Sequence, residues 1–312
     1  MSELLEISHV NQSFRTGFLM RPTEILSDVS LSVPEHSIFG FLGANGAGKT
    51  TLIHLIVGLR RPVTGEVRLR GHFAASREAR MQIGYLPERP YFYEHLTGEG
   101  LLYYFGALSG MKRAAVTSRI PQVLSRVGME RARKVELRRY SKGMLQRIGI
   151  AQAILHDPEF LVLDEPMSGL DPVGRKEIRE LILDLAREGR AIFFSSHVIP
   201  DVEAICDRVA VIQKGRIIKH GSTQEFFQDG ASEFEVGIAG IGAADLGSLP
   251  GLRDCRAVPE GLRLRFTGAE DLSPVLVALL ALKARVLWVT PVRPSLESLF
   301  QANPLPVEMI RS

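Results

Sequence analysis

The stretch IFGFLGANGAGKTTLIHLIVG extends from Ile38 to Gly58. Its apolar beginning predicts a buried strand and its end predicts a helix, with a glycine loop between the two. The loop matches GxxxxGK followed by Ser or Thr, in which backbone N–H groups surround phosphate oxygens, Lys49 reaches the terminal phosphates and the Thr50 hydroxyl binds Mg²⁺. The helix start adds a positive dipole end. The stretch therefore predicts nucleotide binding in an α/β protein, and by itself it suits a kinase or a GTPase equally well.

The composition is that of an ordinary globular protein. With 312 residues, 45% hydrophobic and 23% charged, the chain is long enough for one large domain and one small one. The formal net charge is +3 and no long run of Lys or Arg occurs, so we expect no nucleic-acid surface. Cys206 and Cys255 are too few and too far apart for a disulfide framework or a zinc site, which suits a reducing compartment.

We expect neither a signal peptide nor a membrane-spanning helix. The first residues, MSELLEI, lack a basic region followed by an apolar stretch. The longest apolar run extends from Val275 to Leu282, well below the ~20 residues that a spanning helix needs. Any membrane role is therefore expected to depend on a partner.

Two acidic residues follow a short apolar strand. Phe160–Leu163 predicts a buried strand, and Asp164 and Glu165 come directly after it. The carboxyl ends of strands are where open α/β sheets bind ligands. An aspartate at such an end is suited to hold Mg²⁺ beside a phosphate loop, and the next carboxylate to orient water. His197 follows another predicted strand, Ala191–Phe194, so we expect it at the same edge as Asp164.

Two further segments each allow two interpretations. Residues 140–156 place a Ser/Gly turn at the start of a helix, which is either a second anion site or a plain N-cap. Residues 81–105 contain five of the six tyrosines, which indicates either a contact surface or the aromatic core of a helical insert. Residues 99–128 predict helices, with Pro121 at a helix start.

The flanking regions predict further strands. Residues 4–10 and 25–33 alternate apolar and polar side chains, so we expect two short strands around a turn at residues 15–23. Residues 209–219 predict a hairpin that turns at Lys214.

Residues 1–225 resemble the nucleotide-binding subunit of ATP-binding cassette (ABC) transporters, because several specific motifs occur in the order of that family. The resemblance implies an α/β P-loop NTPase cassette with a mixed sheet core and a helical subdomain at about residues 88–158. The implied motif positions are Phe14 for the ring that stacks on adenine, Gly43–Thr51 for Walker A, Glu88 for the Q-loop, Tyr140–Met144 for the signature, Phe160–Glu165 for Walker B, Ser168–Asp171 for the D-loop and His197 for the switch histidine.

By the same resemblance, ATP and Mg²⁺ are the expected cofactors. The expected nucleotide-binding residues are Phe14, Gly43, Asn45, Gly46, Gly48, Lys49, Thr50, Thr51, Glu88, Ser141, Gly143 and Asp171. Mg²⁺ is expected at Thr50, Asp164 and Glu88. Glu165 is expected to polarise the attacking water and His197 to contact the γ-phosphate region.

The resemblance also implies partners. In the family two subunits pair head to tail, so that the signature of one covers the ATP held by the Walker A loop of the other. We therefore expect a second subunit, identical or a paralogue, and a separate transmembrane permease that contacts residues 85–105. Such a motor subunit lies at the cytoplasmic face of a membrane.

Two motifs depart from the usual family pattern. Glu88 stands where glutamine is usual, and Tyr140-Ser-Lys-Gly-Met144 stands where Leu-Ser-Gly-Gly-Gln is usual. A carboxylate at position 88 can approach Mg²⁺ but adds negative charge near the phosphates, and Met144 lacks a side-chain amide. These forms resemble a branch that serves export-type permeases, so we expect an active exporter motor. The alternative is a soluble ABC ATPase that acts on ribosomes or DNA, whose usual second cassette, coiled coil or zinc insertion is not visible in this sequence.

Residues 226–312 predict a second, small α+β domain. The strands that alternation predicts are Glu233–Ile238, Leu262–Phe266 and Arg285–Val289. A helix is expected at residues 273–282 and a final short helix at residues 294–300, capped by Ser295. The module resembles the C-terminal extension of drug-, antibiotic- and polysaccharide-export ATPases, and its position and Trp288 suggest a dimer-stabilising or regulatory role.

Overall fold

The computed structural model describes residues 3–16, 21–228, 233–246, 249–267 and 272–292. The chain divides into two compact units, the first ending at Gly221 and the second beginning at Ser222. The boundary expected between residues 225 and 226 falls inside the first helix of the second unit. The final helix expected at residues 294–300 lies outside the described residues. In the described ranges, no helix has the length and apolar character to cross a membrane.

The first unit alternates strands and helices along much of its length. Its strands are β1 Glu3–Thr16, β2 Arg21–Pro34, β3 Ile38–Leu42, β4 Thr64–Leu69, β5 His72–Phe73, β6 Ile83–Leu86, β7 Phe160–Leu163, β8 Ala191–Ser196, β9 Arg208–Gln213 and β10 Arg216–Ser222. Its helices are α1 Lys49–Ile56, α2 Arg77–Met81, α3 Gly98–Leu108, α4 Arg113–Arg126, α5 Lys142–Ala153, α6 Pro172–Arg187 and α7 Ile199–Ile205.

A sheet with the strand order β10-β9-β3-β8-β7-β6 forms the centre of this unit. The pairs that join β9, β3, β8, β7 and β6 are parallel. Leu42 pairs with Ser196, and Leu163 pairs with Phe194, so β3, β7 and β8 end close to one another. The residues that follow these three strands therefore meet at one edge of the sheet.

Aromatic packing holds these strand ends in place. Strands β3, β7 and β8 are buried throughout, as is usual for parallel strands covered on both faces. The rings of Phe39 and Phe193 stack with their centroids 5.6 Å apart, and the Phe41 centroid lies 5.4 Å from that of Phe193. Truncation of such a ring to alanine costs about 3–5 kcal/mol. The sheet edge therefore rests on a tightly packed core.

The outer strands β2-β1-β4-β5 form an antiparallel sheet. Strands β1 and β2 have 14 residues each and extend well beyond the strands predicted at residues 4–10 and 25–33. The register of β1 with β2 shifts between Ile7 and Val10, and His9 has a φ angle of +49°. Such a bulge inserts an extra residue and bends the strand. The alternation predicted the part of β1 that contains this bulge, but not its continuation to Thr16 or the start of β2 at Arg21.

Helices α3, α4 and α5 occupy much of the segment expected to form a helical subdomain. Pro121 lies in the interior of α4, so its predicted position at a helix start is wrong. Helix α4 buries Val116, Ile120, Val123 and Leu124 on one face, and this apolar stripe continues past the proline. Burial of that face outweighs the hydrogen bond that proline cannot donate.

The hairpin predicted at residues 209–219 is confirmed as β9 and β10. Its turn residues Lys214 and Gly215 both have positive φ angles, of 48° and 78°. The Gly215 amide donates to the Ala47 carbonyl at 3.0 Å, so the hairpin turn supports the glycine loop that follows β3.

The second unit consists of α8 Thr223–Gln228, β11 Glu233–Ala239, β12 Leu252–Val258, β13 Gly261–Thr267, α9 Ser273–Ala281 and β14 Arg285–Val292. Its strands form an antiparallel sheet in the order β12-β13-β11-β14, and Val236, Leu264 and Leu279 belong to its core. The three predicted strands and the helix α9 are confirmed. Strand β12 was missed because its sequence, LRDCRAV, lacks a clear alternation and it forms an edge of the sheet.

Candidate active site

The loop between β3 and α1 uses glycines where other residues do not fit. Gly46 and Gly48 have φ angles of +78° and +111°, in the left-handed region that favours glycine. A Cβ atom at Gly48 would lie 2.8 Å from a side-chain atom of Leu26. Helix α1 begins at Lys49, and within the described chain no side chain caps its start. Its first N–H groups are therefore available to an anionic ligand.

The Lys49 side chain is buried at this loop. Its ammonium donates to the carbonyl oxygens of Gly43 and Ala44, at 2.6 and 3.2 Å. The same Nζ atom lies 3.2 Å from Glu165 Oε1, and the Lys49 and Glu165 side chains are 6% and 8% exposed. A buried charge is costly unless it is paired and hydrogen bonded, and here the carbonyls and the carboxylate supply both. The loop thus holds a positive charge beside its open N–H groups.

Asp164 follows β7 and is almost fully buried. Its Oδ2 accepts a hydrogen bond from the Thr50 hydroxyl at 2.9 Å, and its Oδ1 accepts one from the Ser195 hydroxyl at 2.6 Å. Burial raises the pKa of Asp164, and the hydrogen bonds from Ser195 and Thr50 oppose this rise. The charges of Glu165 and Glu88 raise the pKa further. A bound cation would therefore stabilise the ionised form of this carboxyl group.

Glu165 lies between the loop lysine and the histidine that follows β8. Its Oε2 is 2.8 Å from His197 Nδ1, and its Oε1 has no aligned hydrogen bond among the described residues, although it faces Lys49. Burial acts to raise the pKa of Glu165, but the His197 hydrogen bond and the Lys49 charge outweigh it, so the pKa is lowered. The hydrogen bond with Glu165 raises the pKa of His197. Glu165 is therefore ionised at neutral pH, between the charges of Lys49 and His197.

Ser195 was not predicted as a site residue, yet it joins both acids. Its hydroxyl donates to Asp164 and accepts from the Glu165 amide at 2.9 Å. The predicted strand ends at Phe194, whereas β8 continues through Ser195 and brings its side chain beside Asp164. A small polar residue that continues an apolar strand at the acidic edge is the signal that could have found it. We refer to Lys49, Thr50, Asp164, Glu165, Ser195 and His197 as the carboxyl-edge cluster.

The signature and D-loop residues lie outside this cluster. Ser141 Oγ accepts from the Met144 amide at 3.3 Å and caps α5, and Asp171 Oδ1 accepts from the Gly174 amide at 2.8 Å and caps α6. Both caps are exposed, and Gly143 lies in the first turn of α5. Within the described chain, no hydrogen bond or ion pair joins Ser141, Gly143 or Asp171 to the carboxyl-edge cluster. Ser141 is the N-cap of α5, and the anion site expected at the same helix start stays a prediction.

Three further predicted nucleotide-binding residues, Phe14, Asn45 and Thr51, are not members of the cluster. The Phe14 ring is half-buried, and the Arg60 guanidinium lies 4.7 Å from its centroid. Asn45 is exposed on the glycine loop, and Thr51 is half-buried in the first turn of α1.

Glu88 is exposed at the predicted Q-loop position. It forms an ion pair with Arg89 at 3.9 Å, and its charge contributes to the raised pKa of Asp164. Glu88 therefore lies within electrostatic reach of Asp164, but no hydrogen bond joins these two side chains in the described structure.

Known proteins are similar to this chain in sequence and in fold. A family model described as ABC transporter matches residues 26–168. An ABC transporter ATP-binding protein of Synechocystis sp. is 40% identical over 303 residues, which cover 96% of this chain and 84% of the relative. The chain belongs to the ABC transporter family.

Further comparisons agree with this membership. The bacitracin transport ATP-binding protein BcrA of Bacillus licheniformis is 40% identical over 194 residues, which cover 61% of this ABC subunit and 62% of the relative. A solved ATP-binding subunit of an ABC transporter is 30% identical, with a TM-score of 0.63 over 72% of this chain and 92% of that chain. The structure of cbiO1 from Clostridium perfringens, part of the transporter complex cbiONQ, is 26% identical, with a TM-score of 0.63 over 73% and 92%.

The predicted family, P-loop cassette fold and ATPase activity are thereby confirmed, because the chain is an ATP-binding subunit of a family in which ATP hydrolysis is general. None of these relatives supports the alternative of a soluble ABC ATPase that acts on ribosomes or DNA.

The ABC cassette offers donors that suit Mg²⁺. The Thr50 hydroxyl and the Asp164 carboxylate are hard oxygen donors that already touch each other. The described residues contain no group of three or more His, Cys, Asp or Glu placed to hold a metal. Mg²⁺ keeps several waters and takes one or two carboxylates together with substrate phosphates, so a small protein donor set fits it.

Proposed function

We propose that the carboxyl-edge cluster carries out ATP hydrolysis and that a pair of such subunits drives a separate membrane permease. The observation that carries the proposal is Glu165, a buried and ionised carboxylate held between Lys49 and His197 beside the glycine loop. The loop and Lys49 supply phosphate binding, and Glu165 supplies a proton acceptor at the same place.

Lys49 binds the terminal phosphates of ATP. Its ammonium lies on loop carbonyls and near Glu165, so it exchanges the carboxylate for phosphate oxygens when ATP binds. This exchange removes a positive charge from Glu165, which makes the carboxylate a stronger proton acceptor. Glu165 then orients and polarises the attacking water, while His197 holds the other carboxylate oxygen.

Thr50 and Asp164 would hold Mg²⁺. When bound, this ion neutralises charge on the phosphate oxygens. Ser195 fixes one oxygen of Asp164, which leaves the other directed at Thr50. Glu88 adds negative charge near Asp164 from its exposed position, and no hydrogen bond joins the two side chains in the described structure.

A second subunit completes the site. Ser141, Gly143 and Asp171 do not reach the cluster of their own chain, and their segments are exposed at the starts of α5 and α6. A helix start with open N–H groups binds phosphate oxygens readily. We infer that these residues contact the ATP held by the glycine loop of a partner, which is a second copy of this chain or a paralogue.

A groove lined in part by residues of the segment 85–105 is the proposed permease site. Its volume is about 680 Å³, and its lining includes Tyr85, Tyr91, Phe92 and Phe105. The charged residues that line it are Arg77 and Arg80. Burial lowers the pKa of His156, another lining residue, which keeps it neutral. The groove therefore fits a cytoplasmic segment of a permease that is apolar and carries an acidic residue.

Export is the proposed direction of transport. The relative BcrA is named for bacitracin transport, and the YSKGM signature and Glu88 resemble an export branch. Contact with a permease would place the subunit at the cytoplasmic face of a membrane. The second unit is proposed to stabilise the dimer or to regulate it.

The experiment compares Glu165→Gln with the wild type and with Glu180→Gln, purified as full chains from detergent-solubilised membranes in Mg²⁺ and ATP. Glu180 is an exposed acid whose partner is Lys176 at 3.8 Å, so its amide variant controls for loss of a surface charge. Glu165→Gln should retain ATP and dimerise while its turnover falls about 10²–10⁴-fold, the range of a positioned base. A polytopic membrane protein should co-purify with all three forms.

Two outcomes would overturn the proposal. ATP turnover at the wild-type rate in Glu165→Gln would show that Glu165 is not the base. Co-purification of ribosomes or DNA in place of a membrane protein would favour the soluble alternative.

A further inference from the structure

The signature and the D-loop lie at the starts of two different helices. Ser141 caps α5 and Asp171 caps α6. For the ATP of a partner to meet both segments, the two helix starts must keep a fixed distance from each other. The contacts between α5 and α6 therefore decide how well the signature half of the site is formed.

One side chain of α5 connects three helices. Arg147, in the second turn of α5, is half-buried, and its Nη2 lies 2.6 Å from Oε2 of Glu177 in the second turn of α6. Its Nη1 donates to the Val127 carbonyl at 2.8 Å, at the C-terminal end of α4. A cation is favourable at a helix C-terminus, and the planar guanidinium has donors for two acceptors at once. Arg147 thereby joins α5 to both α4 and α6.

Closer to the helix starts, the signature also packs on the D-loop. A Cβ atom at Gly169 would overlap the Lys142 ammonium and lie 3.1 Å from its Cε, so the Lys142 side chain extends over this glycine. A Cβ atom at Gly143 would lie 3.9 Å from the Leu170 side chain. The two segments are thus in contact, and the ion pair between Arg147 and Glu177 joins the same two helices further along.

The ion pair is partly exposed. The Arg147 and Glu177 side chains are 22% and 49% exposed. Ion pairs in such places contribute little to the free energy of unfolding, because solvent screens them. We therefore expect the pair to act mainly on the orientation of α5 relative to α6.

We propose that Arg147 and Glu177 are positioning residues for ATP hydrolysis, which hold the signature and the D-loop of one chain as a single surface for the ATP of the partner. Neither residue is assigned a contact with ATP. Without the pair, α5 and α6 would have to be ordered relative to each other when the dimer closes, at a cost in free energy. The inference rests on the proposed role of Ser141, Gly143 and Asp171 at the partner's ATP.

The first test compares full-chain Glu177→Gln with Asp184→Asn. Asp184 forms an ion pair with Arg187 at 2.7 Å, but both residues belong to α6, so this control removes a similar pair that joins no two helices. Both variants should lose a similar, small free energy of unfolding. Only Glu177→Gln should lower kcat, by about three- to tenfold, the scale of a small misplacement, with KM for ATP within about twofold.

The pair itself is tested by Arg147→Gln and the double variant with Glu177→Gln. Arg147→Gln also loses the bond to the Val127 carbonyl, so its kcat should fall about tenfold. The double variant should be no slower than Arg147→Gln, because the ion pair is already broken there. Arg147→Lys should keep part of the rate, since its ammonium still meets one of the two acceptors.

A mixture of variants shows which half of the site the pair serves. Lys49→Ala disables the glycine loop of its own chain and leaves its signature intact. In an equal mixture with Arg147→Gln, about half of the pairs contain one site built from two intact halves, so activity should rise from about a tenth to about a quarter of wild type. If Arg147 acted on the glycine-loop half of its own chain, the mixture would be less active than Arg147→Gln alone.

Hydrogen exchange of the nucleotide-free chain supplies a measurement that does not depend on ATP. Arg147→Gln and Glu177→Gln should both speed exchange of the amides of residues 145–149 and 175–179, and Asp184→Asn should not. Because Glu177 is about half exposed, its variant tests the proposal even where Arg147→Gln does not fold.

The proposal is overturned by equal kcat in Glu177→Gln and Asp184→Asn, by multiplied losses in the double variant, or by a mixture less active than Arg147→Gln alone. An inactive mixture of Lys49→Ala with Gly143→Asp, which puts a negative charge at the start of α5, would instead overturn the shared site itself. The exchange measurement would still report whether the pair joins α5 to α6.

Discussion

The two halves of the candidate site differ in how far one chain completes them. In the carboxyl-edge cluster, Lys49, Asp164 and Ser195 are buried and find their hydrogen-bond partners within the chain. In the signature half, Ser141 and Asp171 are exposed and serve as helix caps. One chain therefore holds the phosphate-loop half together by its own contacts, whereas the proposed phosphate contacts of the signature half need a second chain.

The same difference concerns charge. The cluster holds Lys49 against Glu165 and Glu165 against His197, so its charges are partly neutralised within the chain. Lys142, at the first position of α5, is exposed, and no described acidic side chain pairs with it. A cation at a helix start is unfavourable with the helix dipole. The signature half is therefore built to receive negative charge from outside, as the proposed partner's ATP would supply.

The largest effect is expected when the two halves are disabled in separate subunits. Lys49→Ala removes the loop cation, and Gly143→Asp puts a negative charge at the start of α5. Each pure variant should lose about 10²–10³-fold in ATPase rate, the scale of a lost transition-state contact. In an equal mixture, about half of the pairs are mixed and each has one intact site of two, so about a quarter of wild-type activity should return.

The Gly143 variant is suited to this test because the site has room for a side chain. A Cβ atom there would lie 3.9 Å from the nearest side-chain atom, which belongs to Leu170. Gly143→Ala, which adds bulk without charge, is the matched control and should lose less activity. A mixture as inactive as its components would contradict a site shared between two chains.

The elements that the sequence predicted are those determined by local pattern. An apolar run, a glycine loop and a helix specified β3, the loop and α1, and an apolar run followed by two acids specified β7 and the position of Asp164. These patterns also placed His197 at the correct edge, where it contacts Glu165.

What the sequence could not predict depends on register and tertiary packing. Ser195 reaches both acids only because β8 pairs with β7 in a particular register. The fold leaves the Glu88 side chain exposed beside Arg89, and its charge still acts on Asp164. Its expected place near the metal therefore stays a prediction. Pro121 alone predicts a helix start, but the buried apolar face of α4 continues on both sides of it. This burial depends on tertiary packing, which local propensity does not reveal.

A smaller effect is expected from Ser195→Ala, which tests whether the cluster depends on its internal hydrogen bonds. The change leaves an oxygen of Asp164 and the amide of Glu165 without their partner in a fully buried place. Unfolding free energy should fall by about 1–3 kcal/mol. The ATPase rate should fall at least about tenfold, since both acids lose a fixed position.

Ser196→Ala is the control for this substitution. Ser196 is also buried, but its hydroxyl bonds only to the Val198 backbone in the described structure, at 2.9 and 3.3 Å. Denaturant unfolding and ATP turnover should both distinguish the two variants. Equal losses in Ser195→Ala and Ser196→Ala would show that Ser195 has no special part in holding the acids.

The smallest effect concerns the pH dependence of stability in the nucleotide-free protein with EDTA. The hydrogen bond with Glu165 raises the pKa of His197 above its ordinary value of about 6.5. Protonated His197 therefore favours the folded state. Its contribution is fully present below about pH 6.5 and is lost as the pH rises through the raised folded-state pKa. The pKa of Glu165 is lowered overall, so its contribution persists above its ordinary value of about 4.3 and is lost as the pH falls.

The two pKa directions define a pH window in which the ion pair between Glu165 and His197 contributes most to stability. Between about pH 4.3 and 6.5, wild type should be more stable than His197→Gln by about 1.5–3 kcal/mol, the scale of a hydrogen bond to a charged group. The difference should shrink as the pH rises above this window. His220→Gln, at an exposed histidine of β10, should follow the wild-type curve throughout. A difference between wild type and His197→Gln that stays constant from pH 5 to 9 would mean that packing, rather than the Glu165 ion pair, holds His197 in the cluster.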